Sequence, residues 1–180
     1  DPSGKSAMRN QLSLKEVKNN AKTYFKQVGK IIDIKKAEIK YNSEWFRNMK
    51  FAEVINLTSK FTAQRILERD DFTKRLKDGT PLGAHEILYP IMQAYDSIII
   101  KADVEIGGTD QKFNLLMGRR VQRHFGIKEQ DIMTVPLIEG TDGTKKMSKS
   151  SGNYIALDAE PNDMYGKIMS VPDSLIKKYF

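Results

Sequence analysis

The chain has 180 residues, 39% of them hydrophobic, enough for one sizeable core at the length of a single domain. With no Cys and 2 His it excludes a disulfide scaffold and thiolate or clustered-histidine metal sites, so no metal-ligating residues are predicted. Lys and Arg (30) outnumber Asp and Glu (23), a +7 balance that suits a polyanion such as nucleotide or RNA, and no apolar run approaches the roughly 20 residues of a membrane span.

Residues 1–10 form a polar loop. Ser13-x-x-Glu16 then has the form of a capping box, and Val17, Ala21, Tyr24, Phe25 and Val28 follow at helical spacing up to Gly29, which predicts a helix. Residues 37–41 (AEIKY) alternate like a short strand before a turn at Trp45 and Phe46. Short helical patterns fill 51–76, where Ala52, Ile55, Leu57, Phe61, Ile66 and Leu67 read as local core, with a subunit interface as the alternative. Asp78-Gly79-Thr80-Pro81 is a turn. A helix is predicted over 84–96, with Pro90 kinking it or lying in its first turn, then a buried strand at 98–101 and an extended segment at 104–106. Thr109 is placed to cap a helix running to Phe125 and closed by Gly126. Residues 132–138 read as a second buried strand, followed by the Asp142-Gly143 turn, a Lys/Ser/Gly loop at 145–152 and short helices to the end. Strands alternating with helices define an α/β class with a mainly parallel sheet.

Open parallel sheets bind ligands outside the carboxyl ends of their strands, which is where the chemistry-bearing loops are expected. Gly107-Gly108-Thr109-Asp110-Gln111 sits at a strand-to-helix junction, where glycines admit a sugar or phosphate to the backbone; alone, it is equally a capped tight turn. Tyr89, Gln93 and Asp96, at i, i+4 and i+7, share one helix face, either turned inward to a polar ligand or forming a solvated stripe. Lys146-Met147-Ser148-Lys149-Ser150, between Gly143 and Gly152, carries two ammonium groups on a loop expected to be mobile, suited to a polyphosphate whose charge grows as it leaves.

KMSKS (Lys146–Ser150) resembles the second signature of class I aminoacyl-tRNA synthetases. Leu88-Tyr89-Pro90, Gln93–Asp96 and Ile106–Gln111, with Asp1-Pro2-Ser3-Gly4-Lys5 and Arg9, resemble the bacterial tyrosyl-tRNA synthetase family in order along the whole chain. The resemblance implies a Rossmann-type nucleotide-binding fold lacking its N-terminal strand and helix, with a helical insertion at about 37–83 that contributes to a homodimer interface. It implies a substrate and ATP half at 84–138, the KMSKS loop at 139–153 and the start of a further helical region at 154–180. It implies a cytoplasmic ligase that joins L-tyrosine to ATP, with Mg2+ on the phosphates, and passes the aminoacyl group to tRNA(Tyr). By position, Asp1, Tyr89 and Gln93 would take the tyrosine ammonium, Asp96 the phenol hydroxyl and Gln111 the carboxylate. Gly108 and Asp110 would meet the ribose, and backbone at Leu137 and Ile138 the adenine. Lys146, Lys149, Ser150, Lys5 and Arg9 would grip the pyrophosphate. The HIGH-type motif and the anticodon-recognising domain do not occur in these residues, so the chain is expected to be an internal piece without useful activity by itself. Glu105 stands where many relatives carry Gln.

Two other classes compete. Ser3-Gly4-Lys5-Ser6 matches the end of a P-loop, which would make a nucleotidase but leaves KMSKS without a role. Arg119, Arg120 and Arg123 on one helix would suit a non-enzymatic RNA-binding module, or form a solvated face opposite a buried side of Phe113, Leu116, Met117 and Val121.

Overall fold

The computed structural model describes residues 12–180. In chain order come α1 (Leu14–Val28), α2 (Ser43–Phe46), α3 (Phe51–Thr58), α4 (Ala63–Leu67), α5 (Asp70–Lys77), α6 (Ala84–Ile100), β1 (Val104–Gly108), α7 (Lys112–His124), β2 (Asp131–Val135), α8 (Pro161–Met169) and α9 (Asp173–Tyr179). Single 3-10 turns lie at Thr109–Gln111 and Lys149–Ser151. The described residues fall into two compact units, 40–135 and 12–39 with 136–180.

In the first unit β1 and β2 pair in parallel, from Val104 opposite Asp131 to Gly108 opposite Val135. Parallel neighbours need a crossover, and α7 supplies it. The core joins Leu57, Ile66 and Phe72 from α3, α4 and α5 to Ile91, Ala94 and Ile98 of α6 and Met117 and Val121 of α7. Each such large aliphatic or aromatic side chain contributes about 1.5–3 kcal/mol by leaving water. Arg75 of α5 pairs with Glu86 of α6 at 2.6 Å, and Glu86 also accepts from the Gly83 amide at 2.8 Å, which fixes the start of α6. At the α6–α7 contact a Cβ on Gly118 would lie 2.6 Å from Ser97 Oγ and 3.1 Å from Gln130 Nε2, so the approach of the two helices depends on glycine.

In the second unit the Ser13–Glu16 capping box opens α1 as its spacing predicts, with Glu16 accepting from the Ser13 amide at 2.7 Å. Gln27 and Lys30 donate to Asp158 and to the Leu157 carbonyl at 3.2 and 2.9 Å. Leu175 of α9 is buried, the Tyr179 hydroxyl donates to the Glu139 carbonyl at 2.5 Å, and Lys178 pairs with the Glu139 carboxylate. No helix among the described residues is long and apolar enough to cross a membrane.

Several local expectations need correction. Residues 98–100 are not a strand but the last turn of α6, which passes through a buried Pro90 and ends at Lys101 in the left-handed region with φ 53°. β-Branching disfavours a helix only slightly, and burial of Ile98 against the core outweighs it. Residues 37–41 are not a strand, and Trp45 and Phe46 belong to the one-turn helix α2. β2 stops at Val135, before Pro136, and alternates between exposed and half-buried instead of being buried throughout. Thr109 begins a 3-10 turn, and α7 starts at Lys112 with no side-chain cap. The buried face of α7 is Asn114, Leu115, Met117, Gly118, Val121 and Gln122, whereas Leu116 is exposed and Phe113 half-buried. Of the apolar residues in 51–76, Leu57 and Ile66 are buried and Phe61 and Leu67 pack against them, while Ala52 and Ile55 face solvent.

Candidate active site

In the unit of residues 40–135, α6 carries Tyr89, Gln93 and Asp96, all half-buried rather than a solvated stripe. The one-turn helix α2 lies against it, with the Phe46 and Tyr95 rings 5.6 Å apart. That contact brings the Trp45 indole Nε1–H to Asp96 Oδ1 at 2.8 Å, and the Asn42 side chain adds a further hydrogen bond to the same carboxylate. Burial pushes the Asp96 carboxyl above the ordinary carboxylate range, the bonds from Trp45 and Asn42 draw it back, and the charge of Glu105 pushes it up again.

Gln93 and Gln111 are joined through a residue that sequence reasoning missed. Asn114 Nδ2 donates to Gln93 Oε1 at 2.8 Å and to Gln111 Oε1 at 3.2 Å. With its oxygen so engaged, Gln111 presents its amide NH2 as a pair of donors, the polarity a carboxylate requires. Gln93 keeps a second lone pair on Oε1 for a cation. Asn114 is buried, and its Oδ1 has no hydrogen-bond partner among the described residues. Gly107 packs closely enough that a Cβ there would lie 3.2 Å from both Gln111 Cβ and Leu115 Cδ1. Gly108 closes β1 opposite Val135, and Asp110 is exposed on the 3-10 turn that follows.

Behind this face lies a buried polar network. Ser97 Oγ donates to Glu105 Oε2 at 2.8 Å, and Gln130 Nε2 donates to the same oxygen. Gln122 Nε2 donates to the Ser97 carbonyl at 3.0 Å and to Gln130 Oε1 at 3.2 Å, and Gln122 Oε1 accepts from the Gln130 amide at 2.9 Å. Glu105 on β1 is thus the acceptor that ties the end of α6, next to Asp96, to the segment entering β2. Apolar periodicity gave no signal for it, because Gln122 and Gln130 are buried amides.

On the outer side of α7, Arg123 pairs with Glu129 at 2.6 Å, and Arg119 with Glu129 and Asp131 at 3.3 and 3.4 Å. Those two arginines are committed to ion pairs within the chain.

In the unit containing 136–180, Leu137 and Ile138 are exposed, and the Ile138 carbonyl accepts from the Met147 amide at 2.9 Å. Glu139 and Lys146 form an antiparallel bridge, which brings the two limbs of the loop together. Lys146 and Lys149 are exposed on either side of Ser148, whose hydroxyl accepts from the Ser151 amide at 3.3 Å to start the 3-10 turn containing Ser150. Asp142 accepts from the Thr144 and Lys145 amides and from Asn153, which holds its carboxyl down at about 2. Asp1, Lys5, Arg9 and the P-loop-like Ser3–Ser6 lie outside the described residues.

The chain belongs to the family of tRNA synthetases class I (W and Y), whose pattern matches residues 1–180. Among curated relatives it is 57% identical over 179 residues to a tyrosine–tRNA ligase of Thermotoga maritima and 55% identical over 179 residues to one of Carboxydothermus hydrogenoformans, covering 99% of this chain in each case. It spans 45% and 44% of those two relatives' lengths. Among solved structures it resembles the tyrosyl-tRNA synthetase complexed with L-tyrosine from Archaeoglobus fulgidus, with a TM-score of 0.68 and 25% identity over 88% of this chain and 48% of that one. The tyrosyl-tRNA synthetase from Aeropyrum pernix shares the fold, with a TM-score of 0.58 and 23% identity over 72% of this chain and 39% of that one.

Proposed function

We propose that the chain is the tyrosine- and ATP-handling part of a cytoplasmic tyrosine–tRNA ligase. The observation that carries this reading is the Asp96 carboxylate, half-buried and held by Trp45 and Asn42, on the helix that also carries Tyr89 and Gln93. A partly desolvated acceptor fixed in this way is suited to a phenol hydroxyl, and it would be left short of a partner by a side chain lacking one. In this reading Tyr89 and Gln93, with Asp1, take the ammonium, and the amide donors of Gln111 take the carboxylate. Gly108 and Asp110 meet the ribose, while backbone at Leu137 and Ile138 meets the adenine.

The substrate's own carboxylate oxygen attacks the α-phosphorus of ATP. A carboxyl–phosphate bond forms, the bond to the β-phosphate oxygen breaks, and pyrophosphate leaves with the electron pair. No enzyme nucleophile is required, so the work of these residues is alignment and charge stabilisation. Lys146 and Lys149, with Ser150, Lys5 and Arg9, would stabilise the charge that grows on the pyrophosphate, and contacts made only then raise turnover rather than affinity. A terminal hydroxyl of tRNA(Tyr) then attacks the adenylate carbonyl and AMP departs. Among the described residues no group of three or more Asp, Glu or His side chains converges to hold a metal. Magnesium would accompany the phosphates that ATP brings. The region 37–83, with Phe51 and Ile55 exposed, is the part we assign to a homodimer contact. In the full-length ligase, Lys146→Ala and Lys149→Ala are expected to slow adenylate formation roughly a hundredfold while tyrosine affinity stays within about twofold. Loss of tyrosine affinity with an unchanged rate would contradict the assignment.

A further inference from the structure

The Lys146–Ser150 loop is built around one buried side chain. Gly152, in the left-handed region with φ 68°, ends the 3-10 turn and directs Asn153 back beneath the loop, where it is 5% exposed. Asn153 Nδ2 donates to Asp142 Oδ2 at 2.8 Å, to the Lys146 carbonyl at 3.3 Å and to the Lys145 carbonyl at 3.5 Å. Its Oδ1 accepts from the Ser148 amide at 2.9 Å, and its backbone carbonyl accepts from the Thr141 amide at 2.9 Å. One residue therefore holds both limbs of the loop and the backbone between the two lysines. Only a carboxamide of this length offers donors on one side and an acceptor on the other; aspartate would set a negative oxygen against the Asp142 carboxylate and two carbonyls. Space for that amide comes from Gly140, which is buried: a Cβ there would lie 2.0 Å from Asn153 Nδ2 and 2.2 Å from its Cγ.

We propose that Asn153 is a positioning residue for the phosphate-gripping lysines, and that Gly140 is glycine to make room for it. The inference rests on the reading of Lys146 and Lys149 given above. Asn153 touches no reacting atom; it sets the backbone from which both ammonium groups reach the departing pyrophosphate, so its loss acts on the chemical step.

The test uses the full-length ligase with Asn153→Ala, Gly140→Ala and their combination, alongside Lys149→Ala. It measures the single-turnover rate of adenylate formation and, separately, the equilibrium affinity for tyrosine. Each single variant is expected to lower the rate roughly ten- to a hundredfold, as misplacement by an ångström does, with tyrosine affinity within about twofold. The double variant is expected to be no slower than the worse single one, because both remove the same contact. Asn153→Asp is expected to be slower than Asn153→Ala. Should Gly140→Ala fail to fold, Asn153→Ala and Asn153→Asp with normal tyrosine affinity decide the matter. A wild-type rate in Asn153→Ala beside a slow Lys149→Ala would overturn the positioning role alone. Wild-type rates in both would overturn it together with the reading of the lysines. Effects of Asn153→Ala and Gly140→Ala that multiply in the double variant would show that the glycine serves some other contact.

Discussion

Asp96 lies at the junction of two opposed effects. Burial favours its protonated form, whereas the Trp45 indole and the Asn42 amide favour the anion that a phenol would meet. Replacing it with Asn exchanges an anionic acceptor for a neutral one, at about 1.5–3 kcal/mol for a hydrogen bond to a charged group, or roughly ten- to a hundredfold in the preference for tyrosine over phenylalanine. Trp45→Phe removes one of the bonds that stabilise the anion and so raises the Asp96 pKa further. Tyrosine affinity, measured against pH, should then begin to fall at a higher pH on acidification than in the wild type; an unshifted profile would show that the indole does not set the charge of Asp96. The Tyr89/Gln93/Asp96 face was readable because three polar side chains recur at helical spacing on an otherwise apolar helix. Their supports were not, since Trp45, Asn42 and Asn114 come from separate elements and meet these residues only through tertiary packing.

The pairing of α6 with α7 shows why periodicity misplaced the buried side of α7. Asn114 and Gln122 are buried, and an apolar pattern counts them as surface. The polar network they border makes two variants of Glu105 informative. Glu105→Gln keeps an oxygen for Ser97 and Gln130 and is expected to move stability by less than about 1 kcal/mol, while lowering the Asp96 pKa by removing a nearby charge. Glu105→Leu leaves the Ser97 hydroxyl only the Gln93 carbonyl at 3.5 Å and the Gln130 amide only Ser97 Oγ at 3.4 Å, both long, and is expected to destabilise by about 1–3 kcal/mol, visible as a lower denaturation midpoint. Equal destabilisation by Gln and Leu would mean that the charge, not the acceptor, matters. Gly118→Ala is expected to destabilise by about 1–3 kcal/mol, because overpacking against Ser97 Oγ outweighs the gain in helix propensity. The β1–α7–β2 crossover itself was readable, since a short β-branched run, two glycines and a helical pattern follow one another. The Ile98–Ile100 run was misread for a related reason: a β-branched segment as short as this is compatible with either state, and a buried Ile98 decides for the helix.

The division into two units follows no boundary in composition, because residues 12–39 join 136–180 across the intervening chain, through contacts such as Gln27 with Asp158. Acid should act on the two units through different groups. Asp142, at about 2 instead of 3.8, and Glu86, lowered by Arg75, contribute stability that is complete above pH 4–5 and is lost as pH falls through their depressed folded values. Asp96, raised by burial, has the opposite sign: its contribution is present in acid and declines as pH rises through its folded pKa. Protection of the Thr144 and Lys145 amides from hydrogen exchange should therefore persist to about pH 3 and fail towards pH 2. Loss of that protection at pH 5 would show that the Asp142 turn is held by something else.

For the molecule as a whole, amino-acid-dependent exchange of pyrophosphate into ATP by the full-length protein tests the proposed tyrosine-specific ligase most directly. Tyrosine is expected to support exchange, phenylalanine and tryptophan to support little, and Asp96→Ala to remove most of the difference between tyrosine and phenylalanine. Equal exchange with phenylalanine in the wild type, or an unchanged preference in Asp96→Ala, would contradict a phenol-reading carboxylate at this position.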